Sequence, residues 1–122
     1  MSSDVRHRLG RLGEDHATAH LQRRGLAIVA RNHRTRFGEI DLIAYGDDVL
    51  VFAEVKTRRS GSGTPWDTLD ERKRRQVRRM AHAWLHETDD RPRARTLRFD
   101  AIGVVIDAGD RLVRLDHLEG AF

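Results

Sequence analysis

Two β-type runs joined by Gly46-Asp47-Asp48 constrain this chain more than any other feature. The first reads Gly38-Glu39-Ile40-Asp41-Leu42-Ile43-Ala44-Tyr45, and the second Val49-Leu50-Val51-Phe52-Ala53-Glu54-Val55-Lys56. Short apolar-rich runs flanking a Gly/Asp turn signal a β-hairpin. Strand side chains alternate faces. Ile40, Leu42 and Ala44 therefore belong to one face, and Glu39, Asp41, Ile43 and Tyr45 to the other. In the second run Val49, Val51, Ala53 and Val55 oppose Leu50, Phe52, Glu54 and Lys56. A two-residue loop at Asp47-Asp48 pairs Gly46 with Val49 and places Asp41 opposite Glu54. A loop at Gly46-Asp47 slips the register but leaves both acids on one face. A three-residue loop would put charge on the Ile40/Leu42/Ala44 face, so the hydrophobic pattern rejects it.

Clustered Asp41, Glu54 and Glu39 would repel one another. Like charges about 4 Å apart cost roughly 4 kcal/mol at an effective dielectric near 20. A divalent cation removes that cost, and carboxylate oxygens suit Mg²⁺ or Mn²⁺. Lys56 lies on the Glu54 face, where an ammonium can orient water or neutralise charge on a phosphorane-like transition state. Of the 23 Lys and Arg residues only Lys56 and Lys73 are lysine. A plain surface cation here would be arginine, so a lysine beside the acids hints at a need for a compact ammonium.

Asp41 followed a strand later by Glu54-Val55-Lys56 resembles the PD-(D/E)XK nuclease signature. The longer strings Gly38-Glu39-Ile40-Asp41-Leu42-Ile43-Ala44 and Glu54-Val55-Lys56-Thr57-Arg58 look like the YraN family, a largely uncharacterised group described as predicted endonucleases distantly related to archaeal Holliday-junction resolvases. The likeness runs from about Gly10 to Ala121-Phe122. Ile40 stands where the signature has proline, a departure that leaves the acids in place. The resemblance implies a restriction-endonuclease-like core with a mixed β-sheet flanked by helices, and one nuclease-like domain over residues 1–122. It further implies Mg²⁺- or Mn²⁺-dependent hydrolysis of phosphodiesters, with DNA, structured or branched, as substrate. Asp41 and Glu54 would be metal ligands with Lys56 acting beside them. Glu14 would complete the set, because Gly13-Glu14 matches the family's Gly-Glu pair and resolvase-like members place a first-helix glutamate at the metal. Glu39 is a further acid ranked below these.

The length of 122 residues, 39% of them hydrophobic, supports a single core. The absence of cysteine excludes disulfides, cysteine nucleophiles and thiolate zinc sites. No apolar run reaches membrane-spanning length and no signal-peptide core opens the chain, so the expectation is a cytoplasmic protein with no membrane partner. A formal net charge of +4, carried mostly by arginine, favours polyanionic partners.

A first helix is expected from about Val5 to Arg24, closed by Gly25, with Gly10, Gly13, Ala17 and Leu21 on a narrow face that lets it approach a sheet. A strand from Leu26 to about Arg36 should point Leu26, Ile28 and Ala30 inward. After Lys56, Thr57 to Pro65 is rich in glycine and serine and sets Arg58 and Arg59 beside the site. A second helix from about Trp66 or Thr68 to His86 or Glu87 buries Leu69, Val77, Met80, Ala81, Trp84 and Leu85. Its other side carries Arg72, Lys73, Arg74, Arg75, Arg78 and Arg79. Arg58, Arg59, Arg74, Arg75, Arg78 and Arg79 are the expected nucleic-acid contacts, made to phosphate without sequence readout. Leu97–Ile106 reads as a strand, buried on both faces over its apolar run Ala101–Ile106, and Arg111–Leu118 as a final strand. The pairs His16/His20 and His82/His86 share helix faces but lack the glutamate of a zinc-protease motif. Gly61-Ser62-Gly63 lacks the context of a nucleotide-binding loop. Two rivals stand beside the nuclease reading: a non-catalytic nucleic-acid-binding module, and an assembly module whose arginines meet an acidic protein patch. The sequence leaves open whether the chain acts alone or as a homodimer.

Overall fold

The computed structural model describes residues 3–63, 66 and 69–122. Its elements follow the expected order: α1 (Ser3–Arg23), β1 (Ala27–Thr35), β2 (Gly38–Gly46), β3 (Val49–Arg59), α2 (Glu71–Glu87), β4 (Thr96–Ile106) and β5 (Leu112–Leu118). The five strands form one mixed α/β sheet in sequence order; β3 and β4 are parallel and the other neighbours antiparallel. A parallel pair needs a long crossover, and α2 lies within it. Among the described residues no helix is long and apolar enough to cross a membrane.

Local chemistry sets the ends of the elements. Gly25, at φ +87°, follows α1. Its N–H donates to the Gln22 carbonyl and that of Leu26 to the Leu21 carbonyl, which is a Schellman closure. Leu21 and Leu26 then join the same apolar cluster. The hairpin turn adopts positive φ at both Asp47 (51°) and Asp48 (61°), the pattern of a type I′ turn. Gly46 therefore pairs with Val49, and the ladder runs to Leu42 opposite Ala53. That is the register expected from the two-residue loop. The second helix starts later than expected: Asp70 caps it by accepting from the Lys73 N–H at 2.9 Å. Leu69 consequently precedes the helix while still packing against its core cluster. Thr68 lies outside the described residues.

Two apolar layers flank the sheet. On the α1 side Ala17 and Leu21 meet Leu42, Ala44, Val51, Ala53, Ile102, Val104 and Ile106. On the α2 side Val77, Met80, Ala81 and Trp84 meet Ile43, Leu50, Phe52, Phe99 and Ala101. Phe52 stacks on Phe99 at 5.5 Å and meets Trp84 edge-on at 5.8 Å. As expected, β4 is buried on both faces over Ala101–Ile106, Val105 only partly, while Thr96 and Leu97 at its start are exposed. Two expectations about facing fail. Ile40 and Ala30 pack in the α2 layer, not with Leu42 and Ile28. The β1–β2 register shifts between Ile28 and Ala30, which turns Ala30 over; on β2 the change of face falls at Asp41, where pairing with β3 has stopped.

A buried polar chain ties α1 to the sheet's far edge. Asp100 is fully buried and takes a bidentate contact from Arg98, with Nε at 2.9 Å from Oδ1 and Nη2 at 2.9 Å from Oδ2. His117 Nε2 lies 2.8 Å from Asp100 Oδ2, and His117 Nδ1 lies 3.0 Å from His20 Nε2. Burial pushes the Asp100 carboxyl up, but hydrogen bonds from His117, Arg98 and the Gly120 N–H outweigh it and hold it below its ordinary value. His20 thus meets β5 and not His16. The only hint of this chain in the sequence is an aspartate inside an apolar strand run.

Candidate metal centre

Gly13 brings α1 to the site. It is buried against β3, and a Cβ there would overlap the Thr57 hydroxyl. This close approach sets Glu14, the next residue, beside the strand ends that carry Asp41 and Lys56. Gly13→Ala should destabilise the fold by about 1–3 kcal/mol, the usual range for overpacking. Adding Thr57→Ala should recover part of that loss, which thermal melts of the single and double variants would measure.

Asp41 occupies the point where β2 and β3 cease to pair. The ladder ends at Leu42 opposite Ala53, and the Asp41 carboxylate accepts the Val55 N–H at 2.8 Å. Across β1, Arg31 pairs with Leu42 and His33 with Ile40, leaving Asn32 between them in the left-handed region at φ 51°. Such conformations are tolerated best by Asn among residues with a side chain, and they gather at functional sites. Asn32 Nδ2 donates at 3.0 Å to both Glu14 Oε1 and Glu39 Oε1. Sequence reasoning passed over Asn32. Its signal was an asparagine in the middle of a strand, where that residue is depleted.

Glu14, Glu39 and Asp41 bring carboxylate oxygens within 4.8 Å of one another. The set draws on α1 and β2. Its hard oxygen donors fit Mg²⁺ or Mn²⁺, and the electrostatics show the strain of crowding them. Asp41 is pushed up to about 8, first by burial and then by the charge of Glu54; Glu14 and Glu39 add to the rise and the Val55 N–H opposes it. Burial also raises Glu14, against the hydrogen bond from Asn32. Glu39, ranked last from sequence, stands inside this group, and Glu54 stands outside it.

Glu54 is instead drawn to two ammonium groups. Its side chain is 8% exposed, and its Oε1 lies 2.9 Å from Lys73 Nζ and 3.3 Å from Lys56 Nζ. Lys73 comes from the first turn of α2. The two lysines of the chain thus converge on one carboxylate oxygen. Lys73 was read from sequence as part of the basic helix surface, although lysine's rarity marked it out.

The arginines divide by what they touch. Arg75 and Arg79, with Arg72, Lys56 and Lys73, line an open cleft of about 590 Å³ that Phe37 and Gln76 also border. Arg58 borders a second cleft of about 390 Å³ with Glu14 and Lys56. Arg74 is exposed and 3.8 Å from Glu71. Arg59 borders the second cleft too, but its guanidinium is held by the fold, 2.8 Å from Asp110 Oδ1 and 2.6 Å from the Asp107 carbonyl. Arg78 donates to the Phe122 carbonyl at 2.9 Å and lies over the Phe99 ring.

Comparison with known proteins places these residues in a family context. The profile of "Uncharacterised protein family UPF0102" matches residues 13–104, a span that contains Glu14, Glu39, Asp41, Glu54, Lys56 and Lys73. A UPF0102 protein of Nocardia farcinica is 44% identical over 115 residues, covering 93% of this chain and 88% of the relative. One from Pelotomaculum thermopropionicum is 39% identical over 121 residues, covering 98% and 99%. One from Dictyoglomus thermophilum is 32% identical over 115 residues, covering 93% and 96%.

Proposed function

The chain belongs to the uncharacterised protein family UPF0102, the YraN family, and from that premise we propose that it is a metal-dependent endonuclease of restriction-endonuclease-like fold acting on DNA. The observation that supports this reading most is the meeting of Glu14, Glu39 and Asp41 oxygens within 4.8 Å, where the strands bearing Asp41 and Glu54-Val55-Lys56 part. Burial first, and then the charge of Glu54, push Asp41 to about 8, and a carboxyl so placed does little for stability alone.

Glu14, Glu39 and Asp41 would hold Mg²⁺ or Mn²⁺, with Glu54 adjacent. A bound Mg²⁺ would polarise a phosphoryl oxygen and lower the pKa of a coordinated water. Lys56 Nζ, 22% exposed as a side chain and bordering both clefts, is available to a phosphate and stabilises charge developing on it. Asn32 orients Glu14 and Glu39 through its amide. Arg72, Arg75, Arg79 and Arg58 offer guanidinium groups to flanking phosphates.

Replacing Arg72, Arg75 and Arg79 with glutamine should weaken binding to all nucleic acids alike. The slope of log affinity against log salt should become shallower by up to about 0.9 for each phosphate that is no longer neutralised. Arg59→Gln, whose partners are Asp110 and the Asp107 carbonyl, should lower the melting temperature and leave the slope unchanged. Anisotropy titrations across a salt series read both effects.

The test of the function is cleavage of duplex, flap, single-stranded and four-way-junction DNA with Mg²⁺ or Mn²⁺, beside Asp41→Ala. Metal-dependent cutting that disappears in Asp41→Ala supports the nuclease. Binding that persists in EDTA without cutting supports a non-catalytic nucleic-acid-binding module. Salt-sensitive binding to protein and not to nucleic acid supports an assembly module.

A further inference from the structure

Glu54 is a buried carboxylate with two cationic partners, and one of them lies outside the hairpin altogether. Lys73 reaches it from the first turn of α2, where a positive charge opposes the helix dipole. That placement is unfavourable unless an anion compensates it, and Glu54 Oε1 at 2.9 Å is that anion. Gln76, one turn along, braces the contact. Its Oε1 accepts from Lys73 Nζ at 3.3 Å, and its Nε2 donates to the Phe37 carbonyl at 3.0 Å. The ammonium is therefore held by α2 and by the β1–β2 turn together. Lys56, by contrast, is 3.3 Å from the same oxygen and has no other ion pair among the described residues.

Resting on the nuclease reading above, we propose that Lys73 is a positioning residue, the principal counter-ion of Glu54, which leaves the Lys56 ammonium free to serve the phosphate. Without Lys73, Lys56 becomes the only cation among the described residues on a buried carboxylate and is drawn into that pair. Lys73 also offsets the charge of Glu54, which acts on Asp41, so it moderates the attraction of that site for a divalent ion. The role depends on charge and not on the compact shape of an ammonium. Lys73 borders the 590 Å³ cleft, which has room for a guanidinium.

The experiment compares wild type with Lys73→Met, Lys73→Arg and Gln76→Ala in two arms. In the first, Mn²⁺ affinity is measured by calorimetric titration and by thermal shift. Removing a neighbouring positive charge should tighten Mn²⁺ binding roughly tenfold in Lys73→Met, and Lys73→Arg should match wild type. In the second, single-turnover cleavage at saturating Mn²⁺ should fall roughly 10²-fold in Lys73→Met. Lys73→Arg should recover most of it, and Gln76→Ala should show a smaller loss in the same direction. DNA affinity measured in Ca²⁺ should not change. Tighter metal binding with slower cutting is a signature that loss of folding does not produce. Parallel falls in melting temperature, metal affinity and rate would overturn the proposal, as would weaker DNA binding with the saturated rate intact, which would make Lys73 a phosphate ligand. A wild type that cuts no DNA sinks the nuclease reading. The Mn²⁺ arm then decides alone, and an unchanged affinity in Lys73→Met refutes the role assigned to Lys73.

Discussion

Lys56→Met is expected to cut DNA roughly 10²–10³ times more slowly than wild type while binding metal and DNA nearly as well. Methionine keeps the aliphatic length and removes the charge. An ammonium that acts on charge developing at phosphorus contributes more to the transition state than to the bound ground state, so the loss falls on the rate. Lys56→Arg should fail to restore cutting, because a broad planar guanidinium does not present its charge to the reacting phosphate as a compact ammonium does. This contrasts with Lys73→Arg, for which recovery is expected. Single-turnover cleavage at saturating enzyme, with affinity taken separately in Ca²⁺, measures both variants. A wild-type rate in Lys56→Met, or full activity in Lys56→Arg, removes the catalytic assignment.

The second large effect is a pH-dependent stabilisation by metal. Asp41 titrates near 8 in the folded chain, above the ordinary carboxylate value, because it is buried and sits beside Glu54. Its proton is held in the folded state and released on unfolding. The stability this proton confers is complete below the unfolded value of 3.8 and is lost as pH rises through about 8. The melting temperature in EDTA should therefore decline as pH rises from about 4 to about 8 and level off above that. Mg²⁺ or Mn²⁺ competes with the proton, so its stabilising increment should grow over the same range. At a hundredfold excess over Kd the increment is about 3 kcal/mol, or on the order of 10 °C for a domain of this size. Asp41→Ala should abolish both the decline and the metal increment, and Glu14→Ala should weaken the increment. An equal metal shift in wild type and Asp41→Ala would show that the ion binds elsewhere.

Local rules were enough for the hairpin and the helix ends. The Asp47-Asp48 turn, the alternation of Leu42, Ala44, Val51 and Ala53, and Gly25 at the end of α1 each depend on neighbours within a few residues, where backbone sterics and burial act directly. The small-residue face of α1 likewise announced its close approach to a sheet. From these came the element order, the register that sets Asp41 near Glu54, and the candidacy of Glu14 and Lys56. Distant residues decided the rest. A bulge in β1 broke the alternation that had set Ala30 with Ile28, and the end of β2–β3 pairing at Asp41 broke the one that had set Ile40 with Leu42. The meeting of α1 with the end of β2 grouped Glu39 with Glu14 and Asp41. The βαβ crossover delivered Lys73 to Glu54, and the packing of α1 on β5 joined His20 to His117 and Asp100. Periodicity records which side of its own element a residue occupies. A carboxylate's partner across the sheet is chosen by packing between elements, where one buried charge must find its counter-ion from whatever the fold brings within about 3 Å.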